Sequence, residues 1–288
     1  MRSRSVFFLV YFLCFVLLEC VRGHCPDVTP SPSPAWSPSP SPSPYSSSSK
    51  QFSYVSSLSD IQDTNVNSIP VCLVPFDCNG WLEEGVKRNG VYPINPSNEE
   101  PPFQVYCDME TDGGGWTVFQ QRVNDSISFF RNWSSYEEGF GSLTSNFWLG
   151  LSKLYHLVNR RNTTLLILLE DHNGNKAYAK YTTFIVSDST KEYEVNASGY
   201  SGTAGDSLLH DTKGTRKSSV KFSSPDRDND NWVDGNLGLN HKGGWWFDSC
   251  LHSNLNGQYN ASVDGEGIIW EGWKGKSYSL KKTVMMIR

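Results

Sequence analysis

Hydrophobic positions divide the chain into stretches with different periods. Residues 6–18 are an almost unbroken apolar run behind Arg2 and Arg4. It is too short to span a bilayer comfortably and is followed by Cys20-Val21-Arg22-Gly23, so residues 1–23 are expected to be an export leader cleaved before His24. Residues 29–44 then place proline at nearly every second position, which fixes φ, removes backbone donors and favours an extended rod. The serine-rich residues after it have too little apolar surface to order themselves, so 24–70 is expected to be a disordered stalk. From 71 to the end the pattern changes to aromatic, glycine-punctuated and mixed, and one domain is expected over 71–288.

Within that domain, residues 134–158 carry apolar side chains at helical intervals, interrupted near Gly139, Gly141 and Gly150, which predicts one or two short helices. Residues 163–170 form a hydrophobic strand, and 177–186 partly alternate. The intervening His172-Asn173-Gly174-Asn175 carries an Asn-Gly turn, so the pair is expected to be a β-hairpin. After Gly199, glycine, aspartate, asparagine and tryptophan dominate to about Gly275, predicting a loop-built region held by ions or disulfides. A last strand is expected over 278–287. The class is α+β with one antiparallel sheet and a loop-rich C-terminal lobe.

Composition adds exclusions. A net charge of −5 with no basic stripe argues against nucleic-acid binding. No stretch after the leader is long and apolar enough for a membrane span. Without the leader, Cys25, Cys72, Cys78, Cys107 and Cys250 remain, an odd number in an oxidising compartment, so at least one is free or joined to another chain. Sequons at Asn124, Asn132, Asn162, Asn196 and Asn260 agree with export.

The densest cluster of hard oxygen donors is Asp226-Arg227-Asp228-Asn229-Asp230-Asn231-Trp232. Alternating carboxylates on a tight loop converge on one cation, and oxygen-only ligation selects Ca2+. The spacing is not that of an EF-hand, since Asn231 and Leu237 stand where Gly and Glu would be required. No HExxH occurs. Gly199-Tyr200-Ser201-Gly202 fails the nucleophile spacing, and Gly113-Gly114-Gly115 lacks the Lys-Ser/Thr of a phosphate loop. His210-Asp211 is a local pair with no nucleophile placed beside it, so no enzyme is expected.

The stretch 103–120, FQVYCDMETDGGGWTVFQ, closely resembles the opening motif of fibrinogen C-terminal domains. So, in order, do FRNW at 130–133, GFG at 139–141 with FWLG at 147–150, GYSGTAGD at 199–206, GGWWF at 243–247, SNLNG at 253–257 and the tail from Trp273. The resemblance implies a small N-terminal lobe closed by a Cys78–Cys107 disulfide, a central antiparallel sheet with helices, and a C-terminal calcium lobe. It implies Asp228 and Asp230 as side-chain ligands, the Trp232 carbonyl third, and Asp234 or Gly235 as the fourth. It places Leu237 where the family has the cysteine that pairs with Cys250, leaving Cys250 free or paired with Cys25 or Cys72.

Among the ficolin-like lectins of this family, backbone N–H groups at a cis peptide hold an acetyl oxygen between aromatic walls. The matching set is His241, Ser249, Cys250, Leu251 and His252, with His241 and Leu251 replacing the usual Tyr and His. A Tyr-Ala pair near Ser262-Val263 is missing, and Asn260 puts a glycan near the same rim. The expected function is a secreted, calcium-dependent recognition module for carbohydrate or acetylated surface groups, of innate-immunity type. The alternative is an angiopoietin- or tenascin-like ligand for a cell-surface or matrix protein, favoured by the GGWWFDSC stretch. Cys25 or Cys72 is placed to bridge copies into a disulfide-linked homo-oligomer.

Overall fold

The computed structural model describes residues 74–97, 101–159, 162–209 and 217–288. The leader and stalk, Cys25, Cys72 and the His210-Asp211 pair lie outside the described residues.

The described chain begins with helix α1 (Cys78–Glu83), started by Asp77, whose carboxylate accepts from Gly80 N at 2.9 Å. Strands β1 (Gly90–Ile94), β2 (Phe103–Asp108) and β3 (Trp116–Arg122) follow as an antiparallel meander. The Cys78–Cys107 disulfide staples α1 to β2. Helix α2 (Trp133–Glu138) is capped by Asn132, which accepts from Ser135 N, and stops at Gly139 with φ +98°. A β-carbon on Gly139 would lie 2.2 Å from the Leu149 carbonyl oxygen, so no other residue fits there. A two-residue hairpin, β4 (Phe140–Gly141) and β5 (Phe147–Trp148), separates α2 from α3 (Leu151–Val158). In α3 the spacing of Leu151, Leu154, Leu157 and Val158 buries one stripe, as the pattern predicts.

The predicted hairpin is present as β6 (Leu165–Glu170) and β7 (Lys176–Val186), followed by β8 (Val195–Gly202). Its turn is organised by Asp171, which accepts from Asn173 N and Asn175 N and is 2.6 Å from Lys274 Nζ. The Lys274 ammonium, then the Asn175 amide, hold this carboxyl well below the usual carboxylate range. A depressed folded pKa contributes stability that is full above the unfolded pKa of about 4 and is lost as the pH falls below it. Asp171→Asn is therefore expected to melt earlier than wild type at pH 7, with the gap narrowing at pH 2.5. Melting curves at the two pH values check this.

The main sheet runs β1-β2-β3-β11-β6-β7-β8, with β11 (Lys282–Ile287) antiparallel to both β3 and β6. The last strand therefore starts four residues later than its pattern suggests, because Tyr278 and Leu280 have other partners. Tyr278 OH accepts from His172 N, and Leu280 N donates to Ile268 O. The sheet carries most of the aliphatic core, and β6 is apolar nearly throughout because Leu165, Leu166, Ile167 and Leu169 are all buried.

Between β8 and β11 the described residues form only α4 (Leu237–Asn240), the β9 (Ser253–Asn254)–β10 (Ile269–Trp270) pair and α5 (Glu271–Lys274), besides isolated bridges. It is fastened to the sheet by side chains of β3. Gln120 Nε2 donates to Leu255 O at 2.9 Å, and Arg122 Nη1 donates to Leu255 O and Gly257 O. Burial pushes the Arg122 guanidinium down to about 10, so it is still charged at neutral pH, over the Phe129 ring. An aromatic cluster completes the joint: Phe222 stands 5.2 Å from Tyr136, 5.9 Å from Trp148 and 5.3 Å from Trp246. The buried Tyr136 hydroxyl donates to Phe129 O and accepts from Gly244 N.

Candidate functional site

The 226–232 loop is sorted by its side-chain partners. Asp226 accepts from Trp133 N and Ser224 Oγ, which docks the loop on the start of α2. Arg227 pairs with Glu192 at 2.7 Å and lies over the Trp133 ring. Asn229 donates to Phe222 O and Asn231 reaches Asp248. The two carboxylates left for a ligand are those of Asp228 and Asp230. Asp228 Oδ1 accepts from Asp230 N at 3.3 Å, and its carboxylate meets that of Asp230. Asp230 accepts Trp232 N on Oδ1 and Leu237 N on Oδ2, both at 2.9 Å.

Partial burial, with a further contribution from the charge of Asp228, pushes the Asp230 carboxyl up to about 6. Two hard carboxylates that disfavour each other's charge are a donor set that fits a divalent cation such as calcium. Among the described residues no group of three or more His, Cys, Asp or Glu side chains could hold a metal, so further ligands would be main-chain carbonyls and water. The Trp232 carbonyl stands over the following turn and accepts from Gly235 N at 3.5 Å. Asp234 is exposed, and a β-carbon on Gly235 would come within 2.8 Å of the Trp232 ring.

The second cluster lies on the segment that follows Trp245-Trp246-Phe247, three rings that are all core. The Ser249–Cys250 peptide is cis, and Cys250 is a half-buried free thiol. Neither Cys250 N–H nor Leu251 N–H meets an acceptor among the described residues. Leu251 turns its side chain into the core. His241 packs against Phe247, its ring centroid 5.9 Å away, and its Nδ1 is 2.8 Å from Gly265 O. Burial lowers the His241 pKa, favouring the neutral ring. His252 Nδ1 contacts the Glu271 carboxylate, which also lies 3.6 Å from Lys276. Leu237, buried at the position of the missing cysteine, donates its backbone N–H to Asp230.

Asp248 joins the two clusters and was not singled out by sequence. Its carbonyl accepts Asn231 N at 3.1 Å, its Oδ1 accepts the Asn231 amide, and its Oδ2 is 3.4 Å from Lys217 Nζ. Its only sequence signal is its position just before Ser249-Cys250 in GGWWFDSC. The sequon asparagines differ in how far their amides are used. Asn132 caps α2, Asn124 accepts Ser126 N, and Asn196 donates to Ser218 O. Asn162 and Asn260 are exposed, the latter at φ +54°.

A family model described as fibrinogen beta and gamma chains, C-terminal globular domain, matches residues 74–288. Human fibroleukin is 41% identical over 233 residues, covering 75% of this chain and 52% of that protein. Mouse fibrinogen C domain-containing protein 1 is 43% identical over 219 residues, covering 73% and 46% respectively. The chain thus spans about half the length of the curated relatives it matches. Among solved structures, the fibrinogen-like globe domain of human ANGPTL2 is 41% identical with a TM-score of 0.68, covering 74% of this chain and 98% of that one. A lamprey fibrin D-dimer complexed with the peptide ligand Gly-His-Arg-Pro-amide is 35% identical with a TM-score of 0.69, covering 79% and 77%.

Proposed function

Since the chain belongs to the fibrinogen C-terminal domain family, we propose that it is a secreted, calcium-stabilised recognition module that binds a carbonyl-bearing group, such as the acetyl of a carbohydrate or acetylated surface, and performs no catalysis. The observation that carries this reading is the pair of successive backbone donors at Cys250 and Leu251, neither with an acceptor, on a half-exposed segment. A carbonyl oxygen from outside the chain supplies what those donors lack. Calcium at Asp228 and Asp230 holds the loop whose next side chain, Asn231, fixes Asp248 and hence the start of the donor segment. Export through residues 1–23 belongs to the same proposal, and no helix among the described residues is long and apolar enough to cross a membrane.

A protein or peptide partner is the second reading. It is favoured by His241 being drawn onto Gly265 O and Leu251 into the core, so neither builds a wall around a small acetyl group. The lamprey fibrin relative, complexed with a short peptide, supports that direction. Retention of the full secreted chain on acetylated beads, with and without a calcium chelator, tests the first reading. Retention should fall at least ~10-fold on chelation or with excess N-acetylglucosamine. Retention that neither agent reduces, or none at all, rules out the acetyl ligand. Capture of one cell-surface protein without competition by N-acetyl sugars then supports the second.

A further inference from the structure

The three most exposed large apolar side chains among the described residues are Val233 at 94%, Val263 at 58% and Leu239 at 47%. All three border one rim of the C-terminal lobe. Val233 sits in the turn that Gly235 N closes on Trp232 O, and this turn runs into α4. In α4, Leu237 and Gly238 are buried while Leu239 and Asn240 face out. The helix ends at His241, whose Nδ1 is 2.8 Å from Gly265 O, and Glu266 N donates back to Val263 O. The 260–266 loop is thereby held against the end of α4. His241 also packs on Phe247, three residues before Cys250, so the rim borders the donor segment. Single apolar side chains on a surface are ordinary, but the three most exposed gathered beside a candidate ligand site mark an interaction surface.

The charges decide what fits it. Residues 233–240 and 260–266 contain Asp234, Asp264 and Glu266 and no lysine or arginine. Lys242, just beyond α4, lies over the Phe130 ring, and Lys276, whose carbonyl accepts Gly265 N, is 3.6 Å from Glu271. A second copy of the same rim would set these carboxylates against one another, and they would repel an anionic lipid surface. Saccharides stack on aromatic faces, whereas the side chains presented here are aliphatic. Aliphatic side chains flanked by carboxylates are complementary to a protein segment that presents an apolar residue between lysines or arginines. We infer that the rim formed by Val233, Leu239 and Val263 docks such a basic, apolar segment of a partner protein. The inference rests on the protein-partner reading above and names what that partner presents.

The test uses the full secreted chain carrying Ser262→Ala, so that no glycan on Asn260 shields the rim, in buffer with calcium. The probes are short synthetic peptides in which lysine alternates with valine, lysine with serine, serine with valine, or glutamate with valine. The lysine–valine peptide should bind at least ~10-fold more tightly than the others, and its affinity should fall as salt rises. In Val233→Ser/Val263→Ser that affinity should drop ~10-fold, and Asp264→Lys should both weaken binding and flatten its salt dependence. Because the substituted side chains are exposed, these variants should melt within ~2 °C of the parent and be retained on acetylated beads to the same extent as it. Equal binding of the peptides, or variants that bind the lysine–valine peptide as the parent does, overturns the inference even where the chain still captures a cell-surface protein; that capture upholds only the broader reading. Bead retention lost together with peptide binding would place the peptide on the Cys250 donors and overturn the rim as its site.

Discussion

Chelating calcium at pH 7.4 is expected to lower the thermal midpoint of the full chain by roughly 5–10 °C. A site filled at about 100 times its dissociation constant contributes ~2.7 kcal/mol, and each kcal/mol moves the midpoint of a domain this size by ~2–4 °C. The electrostatics of the loop give the reason such an ion would matter. The folded Asp230 carboxyl titrates at about 6, above its value in an unfolded chain. The metal-free fold therefore binds that proton more tightly than the unfolded chain does. Its contribution is full below about pH 4 and is lost as the pH rises through 6. Calcium bound there would reverse the penalty by neutralising the two carboxylates, so on the proposed reading the ion should stabilise more at pH 7.4 than at pH 5. In Asp230→Asn both the calcium increment and its pH dependence should vanish, although the amide can keep only one of the two N–H bonds that the carboxylate accepts. Calorimetry with and without calcium at the two pH values checks this. A melt indifferent to chelator would remove calcium from the account.

The second large effect is expected from Cys78→Ala/Cys107→Ala. The bridge closes a sequence separation of 29 residues, and loop-closure entropy puts its contribution at about 3–4 kcal/mol. The loss should be concentrated in the N-terminal lobe, where α1 touches the sheet mainly at β3 and Cys78 N donates to Thr117 Oγ1. Hydrogen exchange should rise first in α1, β1 and β2 and leave β6 and β7 protected until global unfolding. Uniform loss across the sheet would mean that the bridge supports the whole domain rather than one lobe.

How much was legible varies with the distance over which a residue finds its partner. The β6–β7 hairpin was readable because its turn is local: Asp171 and Asn175 close it within five residues. Helices α2 and α3 were readable because glycines 139 and 150 interrupt the helical spacing where the helices end and begin. Strands β1–β3 were visible only through a motif, since their pairing is set by partners elsewhere. The C-terminal lobe shows no period because it is organised by single side chains reaching backbone far away in sequence, such as Arg122 to Gly257 and Asn256 to Gly244. The same limit applied at the site. Alternation by itself picks out Asp226, Asp228 and Asp230 equally; the resemblance selects the last two, and the contact of Asp226 with Trp133 N, 93 residues away, gives the physical reason that Asp226 is the structural carboxylate. Asp248 stayed unnoticed because its partner Asn231 lies 17 residues earlier.

The placement of β11 has a kinetic consequence. Of the strands in this sheet, the one made latest is the one that joins β3 to β6 in its middle. Until it arrives, two half-sheets, β1–β3 and β6–β8, each present an unfilled edge lined with apolar residues. Pairings such as Met285 with Gln120 span more than 160 residues, so closing the sheet is a high-contact-order event and belongs among slow steps of folding. During that interval the nascent chain is open to mispairing at both inner edges. A mutation that slows β11 insertion, for instance Val284→Pro, should lower the yield of folded protein more steeply than its effect on equilibrium stability alone would explain.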